Sequence, residues 1–339
     1  MSNLSSIESA PSPPRTFSEG RISKLDDLYK AAADLNFTPG WMPREIPILW
    51  AEPRPKLVPA HWTYEEAKAG LDVAGRLIDA ALAERRNLVM RNPARGTNFE
   101  TTRTLVCAYQ MILPGEFAPA HRHSSHALRV IVDGEGSFSI VNGEKTPMET
   151  GDVVLTPGWC WHAHGHDGDR PAYWFDGLDV PLTHLLEPMF FQNHPQGQES
   201  IKREALSSPY RFTRADIARE LDQAKPDPDQ FHGTRINLPA PEMPTMRLTV
   251  ERLAQGANTR RYRTTANIIF HVMEGSGHTT IGNKHFSWKR ADTIAAPCWH
   301  TISHQAPRMH NCSCCRTNHC FVSLIIISSS QWTSFFARS

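Results

Sequence analysis

The chain has 339 residues, with 36 Lys and Arg against 35 Asp and Glu, a formal net charge of +1 and 40% hydrophobic residues. That length gives one large domain or two medium ones, and the balanced charge leaves no basic excess to neutralise a nucleic-acid backbone. Mean hydropathy is −0.43, apolar runs such as 324–327 are far shorter than a membrane span, and the N-terminus lacks both a basic start and an apolar core. A soluble, cytoplasmic protein with no membrane or nucleic-acid partner is expected.

In chain order, residues 1–20 are rich in Ser and Pro and predict a disordered leader. Apolar spacing through Leu25, Leu28, Tyr29 and Ala32 predicts a first helix within 22–35. Thr63 and Glu66 read as a capping box that opens a second helix through Leu71, Leu77, Ile78 and Leu82. Together these make a helical N-terminal section over 21–86. From about residue 87 the pattern changes to short β-type runs at 105–113, 129–132, 138–141, 153–155 and 172–178. Asp133-Gly134 stops the second run, and Asn142-Gly143 is a two-residue hairpin signal after the third. Evenly spaced strands without intervening helices predict an antiparallel sandwich or small barrel.

The texture then repeats. LPGEFAPAHRH (113–123) parallels LAQGANTRRYR (253–263), VIVDGEG (130–136) parallels HVMEGSG (271–277), and PGWCWH (157–162) parallels APCWH (296–300). A period of about 140 residues means a duplicated domain rather than a solenoid unit. The copies span 87–180 and 245–304, joined by a Pro-rich linker over 181–244 with a short helix signal at 213–224.

Six of the 17 histidines fall between His121 and His166. His121 and His123 are two apart, so on a strand they share a face, and His162 follows a turn later in the same barrel. Three imidazoles without a thiolate suit Fe(II), Zn, Ni or Cu and leave coordination positions open for catalysis. His164 has the parity of His162 and is expected to face the same pocket; His126 and His166 are expected at the surface. Arg129 has the parity of His121 and His123 if the strand is continuous, and its fork geometry suits a carboxylate.

The stretches from Gly115 to Gly136 and from Gly151 to His162 resemble the two motifs of the cupin superfamily. The place where many cupins carry a ligating glutamate holds Ala127-Leu128. The words LPGE-x4-HRH, ALRVIVDGEG, GD-x-VLTPGW-x-WH-x-H and WFDGLDVPL resemble the bicupin ring-cleaving dioxygenases of gentisate, salicylate and 1-hydroxy-2-naphthoate. That likeness runs from about Leu25 to about His304 and is looser in the second half.

The resemblance implies an all-β bicupin with a helical N-terminal section: two double-stranded β-helix (jelly-roll) barrels in a homotetramer. It implies Fe(II) on His121, His123 and His162. The activity implied is extradiol-type opening of a hydroxylated aromatic acid, gentisate first, between the carboxyl-bearing and adjacent hydroxyl-bearing carbons, with O2 incorporated. Arg129 and Arg91 correspond to arginines that face the substrate, and Gln110 to a pocket amide. His164 and Asp176 correspond to groups that orient the substrate hydroxyl or move its proton. Asp179 reads as a turn former, and Trp159, Trp161 and Trp174 as core or pocket wall. Val106 stands where several relatives carry a pocket aromatic. In the second copy Arg261-Tyr262-Arg263 stand against His121-Arg122-His123 and only His300 matches, so that barrel is expected to hold no metal. A Zn or Ni isomerase or hydrolase on the same fold, or a non-catalytic binder of aromatic acids, is the alternative.

Four of the seven cysteines (Cys312, Cys314, Cys315 and Cys320) lie in 305–339, a tail with no Asp, Glu or Lys. Their crowded spacing fits no zinc finger. A departure of frame or splicing near residue 305 is expected, with 321–327 still able to form a strand.

Overall fold

The computed structural model describes residues 17, 22–79 and 86–307, and the backbone of 319–328. Apart from Phe17, the expected leader lies outside the described residues, as do Leu82, Cys312, Cys314 and Cys315. The chain divides into two compact units, Met1–Glu52 and Pro53–Ser339. The first contains helix α1 (Leu25–Asp34), with Asp26 and Asp27 in its first turn, where negative charge suits the helix dipole. No helix among the described residues is long and apolar enough to cross a membrane.

In the second unit β1 (Ala60–Trp62), α2 (Tyr64–Leu77) and β2 (Arg86–Val89) lead into the first barrel. That barrel is built from β3 (Val106–Ile112), β4 (Phe117–His123), β5 (Ala127–Asp133), β6 (Ser137–Val141), β7 (Glu144–Pro147), β8 (Val153–Thr156), β9 (His162–His166) and β10 (Ala172–Leu178). Next come α3 (Val180–Leu185), β11 (Phe191–Asn193), β12 (Arg203–Glu204), β13 (Arg211–Phe212), α4 (Arg214–Gln223) and β14 (Thr234–Leu238). The second barrel follows with β15 (Met246–Ala254), β16 (Asn267–Ile281), β17 (Lys284–Lys289), β18 (Thr293–Ala296), β19 (Ile302–Gln305) and β20 (His319–Ser328).

The first barrel is two six-stranded sheets, ordered β13-β8-β5-β10-β3-β2 and β11-β4-β9-β6-β7-β12. In the second, β16 serves both faces: its first part pairs with β18 and β20, and its last part with β17 and β19. Both central residues of the Asn142-Gly143 turn have positive φ, 49° and 84°, as a type I′ hairpin requires.

Two expectations change. The segment 181–244 is not a free linker, because β11, β12 and β13 add to the first barrel and β14 to the second. The tail supplies β20, which sits between β15 and β16 as β10 sits between β3 and β5. A jelly-roll left open there would expose unpaired strand edges, and an apolar β-branched run is able to close it.

The two copies also exchange arms. Strand β1 precedes the first barrel but pairs with β18 of the second, whereas β13 precedes the second barrel but pairs with β8 of the first. Each arm is fastened by one buried aspartate. Asp152 accepts hydrogen bonds from the Arg214 backbone N–H at the start of α4 (2.9 Å) and from Arg211 Nε (2.6 Å). Asp292 accepts from the Tyr64 N–H at the start of α2 (2.9 Å) and lies 3.1 Å from His61 Nε2. This corrects the capping-box expectation: Thr63 is the N-cap of α2 but makes no side-chain capping bond. The carboxylate from the other barrel takes over that task, satisfying an N–H that a helix leaves unpaired.

The sheet containing β3, β5, β8 and β10 is buried on both faces. Ile112, Ile131, Val154 and Trp174 face into the first barrel, whereas Tyr109, Met111, Val130, Val153, Leu155 and Phe175 join a core shared with Leu248, Val250, Ile269 and Ala295 of the second. Tyr109 donates its hydroxyl to the Ala291 carbonyl at 2.5 Å, and Phe175 stacks on His271 with ring centroids 4.4 Å apart.

Replacing Asp152 by Ala leaves Arg211 buried without its counter-charge. A loss of roughly 3–5 kcal/mol in urea unfolding is expected. Asp292→Ala is expected to cost less, because it removes hydrogen bonds to a backbone N–H and an imidazole rather than the counter-charge of a buried guanidinium. Burial pushes the pKa of His271 down to about 3 from its ordinary 6.5, so between those values a proton binds only the unfolded chain. Stability is therefore complete above pH 6.5 and falls as pH drops toward 3, by at most about 1.4 kcal/mol per unit. His271→Gln is expected to narrow the stability difference between pH 7 and pH 5 by about 2 kcal/mol, read from unfolding curves at both pH values.

Candidate metal centre

His121 and His123 alternate along β4, so both point into the first barrel, and His162 opens β9 directly across from His121. One ring nitrogen from each of the three lies within 4.8 Å of the others, and all three residues are buried. The turn that aims His162 is tightly specified. Trp159 adopts a left-handed φ of 67°, rare for a bulky side chain, and its N–H donates to the His123 carbonyl at 2.7 Å. A Cβ on the preceding Gly158 would meet the Ser124 carbonyl oxygen at 2.4 Å, so only glycine fits there.

The other ring nitrogens settle the tautomers. Nδ1 of His121, His123 and His162 lies 3.1, 2.8 and 3.1 Å from the carbonyls of Pro119, Ser125 and Cys160. A carbonyl only accepts, so each Nδ1 carries the proton and each Nε2 keeps its lone pair. Nε2 of His162 is buried and makes no hydrogen bond. Burial first, then His121, His123 and Arg129, hold the pKa of His162 well below its ordinary value. A neutral imidazole triad of this kind fits a divalent transition metal and leaves other coordination positions to exogenous ligands.

Around the triad, Arg129 on β5 and Asp176 on β10 are direct cross-strand neighbours and pair with Nε to Oδ1 at 3.2 Å. Arg129 Nη1 donates to Thr156 Oγ1 at 2.7 Å, and Trp174 Nε1 donates to the other Asp176 oxygen at 3.2 Å. Burial lowers the pKa of Arg129, and Asp176 opposes that. Gln110 is buried on β3 across from Trp174, and His164 is buried with its ring 5.9 Å from His162 and 5.8 Å from Trp174. The structure thus brings Gln110, Arg129, His164 and Asp176 around the triad, whereas Arg91 is exposed just beyond β2, as is Arg95.

Several residues have other places than expected. His166 is buried, not exposed, with Nε2 against the Arg170 carbonyl. His126 accepts the Gly158 N–H at 2.8 Å on Nδ1, and its own N–H donates to Asp179 at 2.7 Å. Asp179 also accepts from the Thr245 hydroxyl at 2.5 Å, so it ties the two barrels together besides preceding α3. Trp159 and Trp161 lie outside the site, with the Arg122 guanidinium 4.1 and 4.4 Å from their ring centroids. Sequence reasoning missed Thr156, whose alternation with Val154 along β8 is the signal that places it on the inner face.

The second barrel matches the first in a different register from the one the words suggest. Trp299 shares the left-handed backbone of Trp159, with φ 66°, and donates its N–H to Thr264. Tyr262 pairs across from Ile302, as His121 does from His162. Tyr262, Thr264 and Ile302 therefore stand where His121, His123 and His162 stand, and His300 is not the counterpart of His162. The Trp-His dipeptides match by letters but are offset by two residues in space.

A cupin domain family matches residues 108–180. Gentisate 1,2 dioxygenase 1 of Aquipseudomonas alcaligenes is 37% identical over 287 residues, covering 76% of this chain and 83% of that protein. The 1-hydroxy-2-naphthoate 1,2-dioxygenase of Nocardioides sp. is 28% identical, covering 82% and 80%. A crystal structure of salicylate 1,2-dioxygenase from Pseudaminobacter salicylatoxidans superposes with a TM-score of 0.73 at 26% identity, over 90% of this chain and 93% of that one. Structures of that enzyme also include adducts with gentisate. A triad on the first barrel, a second barrel without it, and likeness over most of each chain agree: the chain belongs to the bicupin ring-cleaving dioxygenases, the family of the gentisate 1,2-dioxygenases.

Proposed function

We propose that the chain is an Fe(II)-dependent dioxygenase that opens gentisate between its carboxyl-bearing carbon and the adjacent hydroxyl-bearing carbon. The observation that carries this is the convergence of three Nε2 lone pairs, each fixed by a backbone carbonyl on Nδ1, beside a buried arginine. Iron held by His121, His123 and His162 supplies the O2-activating redox chemistry when bound.

The residues divide the remaining tasks. Asp176 forms an ion pair on the Nε side of Arg129 and Thr156 takes one hydrogen of Nη1, which leaves Nη2 and the second Nη1 hydrogen for the substrate carboxylate. Thr156 and Asp176 together hold that fork in one orientation before substrate arrives, so little side-chain freedom is lost on binding. With one oxygen at Arg129 and the other at the Trp174 N–H, Asp176 is suited to orienting the arginine. Proton transfer from the substrate hydroxyl then falls to His164. Gln110 offers an amide to a ring substituent. Arg91, exposed, enters as a substrate contact on family resemblance alone. The same resemblance supports a homotetramer, which sedimentation of the purified protein checks.

Two outcomes are expected from anaerobic iron loading followed by O2 uptake. The wild-type protein consumes O2 with gentisate ahead of salicylate, 5-aminosalicylate and 1-hydroxy-2-naphthoate, and His121→Ala loses both bound iron and activity. Stoichiometric zinc in the active protein would overturn the iron assignment. Arg129→Lys keeps the charge but loses the fork, and a fall in kcat/KM of roughly 10- to 100-fold is expected, against a smaller effect for Arg91→Ala.

A further inference from the structure

We propose that Phe191 is a specificity-determining residue of this site, lying against the ring of the bound aromatic acid; this rests on the ring-cleaving function proposed above. Strand β11 adds to the edge of β4 with Phe191 across from His123, Gln192 across from Arg122 and Asn193 across from His121. Directly opposed residues share a sheet face, so Phe191 is on the side of the metal ligands and Gln192 on the outside. On the outside the strand is clamped. Arg122 donates through Nε and Nη2 to Gln192 Oε1 at 2.9 and 2.6 Å while lying over Trp159 and Trp161.

On the inside, the Phe191 ring lies nearly parallel to the His121 imidazole, with centroids 5.3 Å apart and 23° between planes. Yet Phe191 remains 48% exposed. Nearly half of the surface of this aromatic residue, stacked beside His121, is thus left uncovered by the protein's own packing. The polar contacts for a substrate carboxylate come from Arg129 on the opposing sheet. The ring carbons need an apolar surface, and Phe191 supplies one on the sheet that carries the ligands. An edge-on or offset contact between two aromatic rings favours flat substrates and senses their width.

The test uses the full-length, iron-loaded protein and the variants Phe191→Leu and Phe191→Tyr. Binding of gentisate is read by anaerobic calorimetry, iron per chain by metal analysis, and turnover by O2 uptake with gentisate and 1-hydroxy-2-naphthoate. Phe191→Leu is expected to weaken gentisate binding by roughly 3- to 10-fold, the scale of one aromatic contact, with Phe191→Tyr restoring it. Iron content should stay within about twofold, and the ratio of kcat/KM values should shift toward the wider fused-ring acid. Unchanged gentisate affinity overturns the proposal. So does a fall in iron content without a change in affinity, which would make Phe191 a prop for His121. A wild-type protein that binds gentisate but consumes no O2 would refute the ring-cleaving function while the calorimetry still decides Phe191. One that does not bind gentisate overturns both.

Discussion

The structure depends on one sheet that must be apolar on both sides. In β3, β5, β8 and β10 successive side chains alternate between the interior of the first barrel and the core shared with the second. The inward set ends in Gln110, Arg129, Thr156 and Asp176, and the outward set in Tyr109, Val130, Leu155 and Phe175. Each functional side chain thus has a neighbour in sequence that is anchored in the opposite direction. A one-residue slip of any strand would turn its polar group into the shared core and its apolar group onto the metal site. Precision at the site is therefore bought by packing behind it.

The exchanged arms make that arrangement mutual. Asp152 belongs to the turn before β8 and receives the arm that leads into the second barrel; Asp292 belongs to the turn before β18 and receives the arm that leads into the first. Neither barrel has its full set of strands without chain that leads into its twin. The two fastenings differ in one respect. Asp152 receives a guanidinium from Arg211, whereas Asp292 meets the imidazole of His61, so the two halves of a near-symmetric joint have different chemistry.

Much of this was legible. Period-two alternation located the strands of the first barrel, and the triad was legible because two ligands, His121 and His123, are neighbours along one strand and His162 follows the Gly151-to-His162 motif of the same barrel. What sequence could not give was set by long-range pairing. The burial of His166, the trans cap from Asp292 to α2 and the place of β11 beside the ligands all depend on contacts between residues far apart in the chain. The repeat was read correctly as a duplication but in the wrong register. Letters aligned the two Trp-His pairs, whereas the backbone aligns Trp159 with Trp299 through their shared left-handed turn.

That corrected register explains what the second barrel lost and what it kept. Two residues after Asp152 lies Val154, opposite Arg129; two after Asp292 lies Ile294, opposite Phe270. The position of Arg129 is thus taken by a buried phenylalanine, as the ligand positions are by Tyr262, Thr264 and Ile302. These differences replace imidazole nitrogens and a guanidinium charge by hydroxyl and apolar groups while keeping the interior filled, which favours stability over coordination. The outward face was under a different demand. His271, Thr293 and Ala291 still receive Phe175 and Tyr109. A barrel with Tyr262, Thr264 and Ile302 at those inward positions can vary them without consequence for its twin. It cannot lose the outward residues, because they are the floor on which β3 and β10 of the first barrel rest.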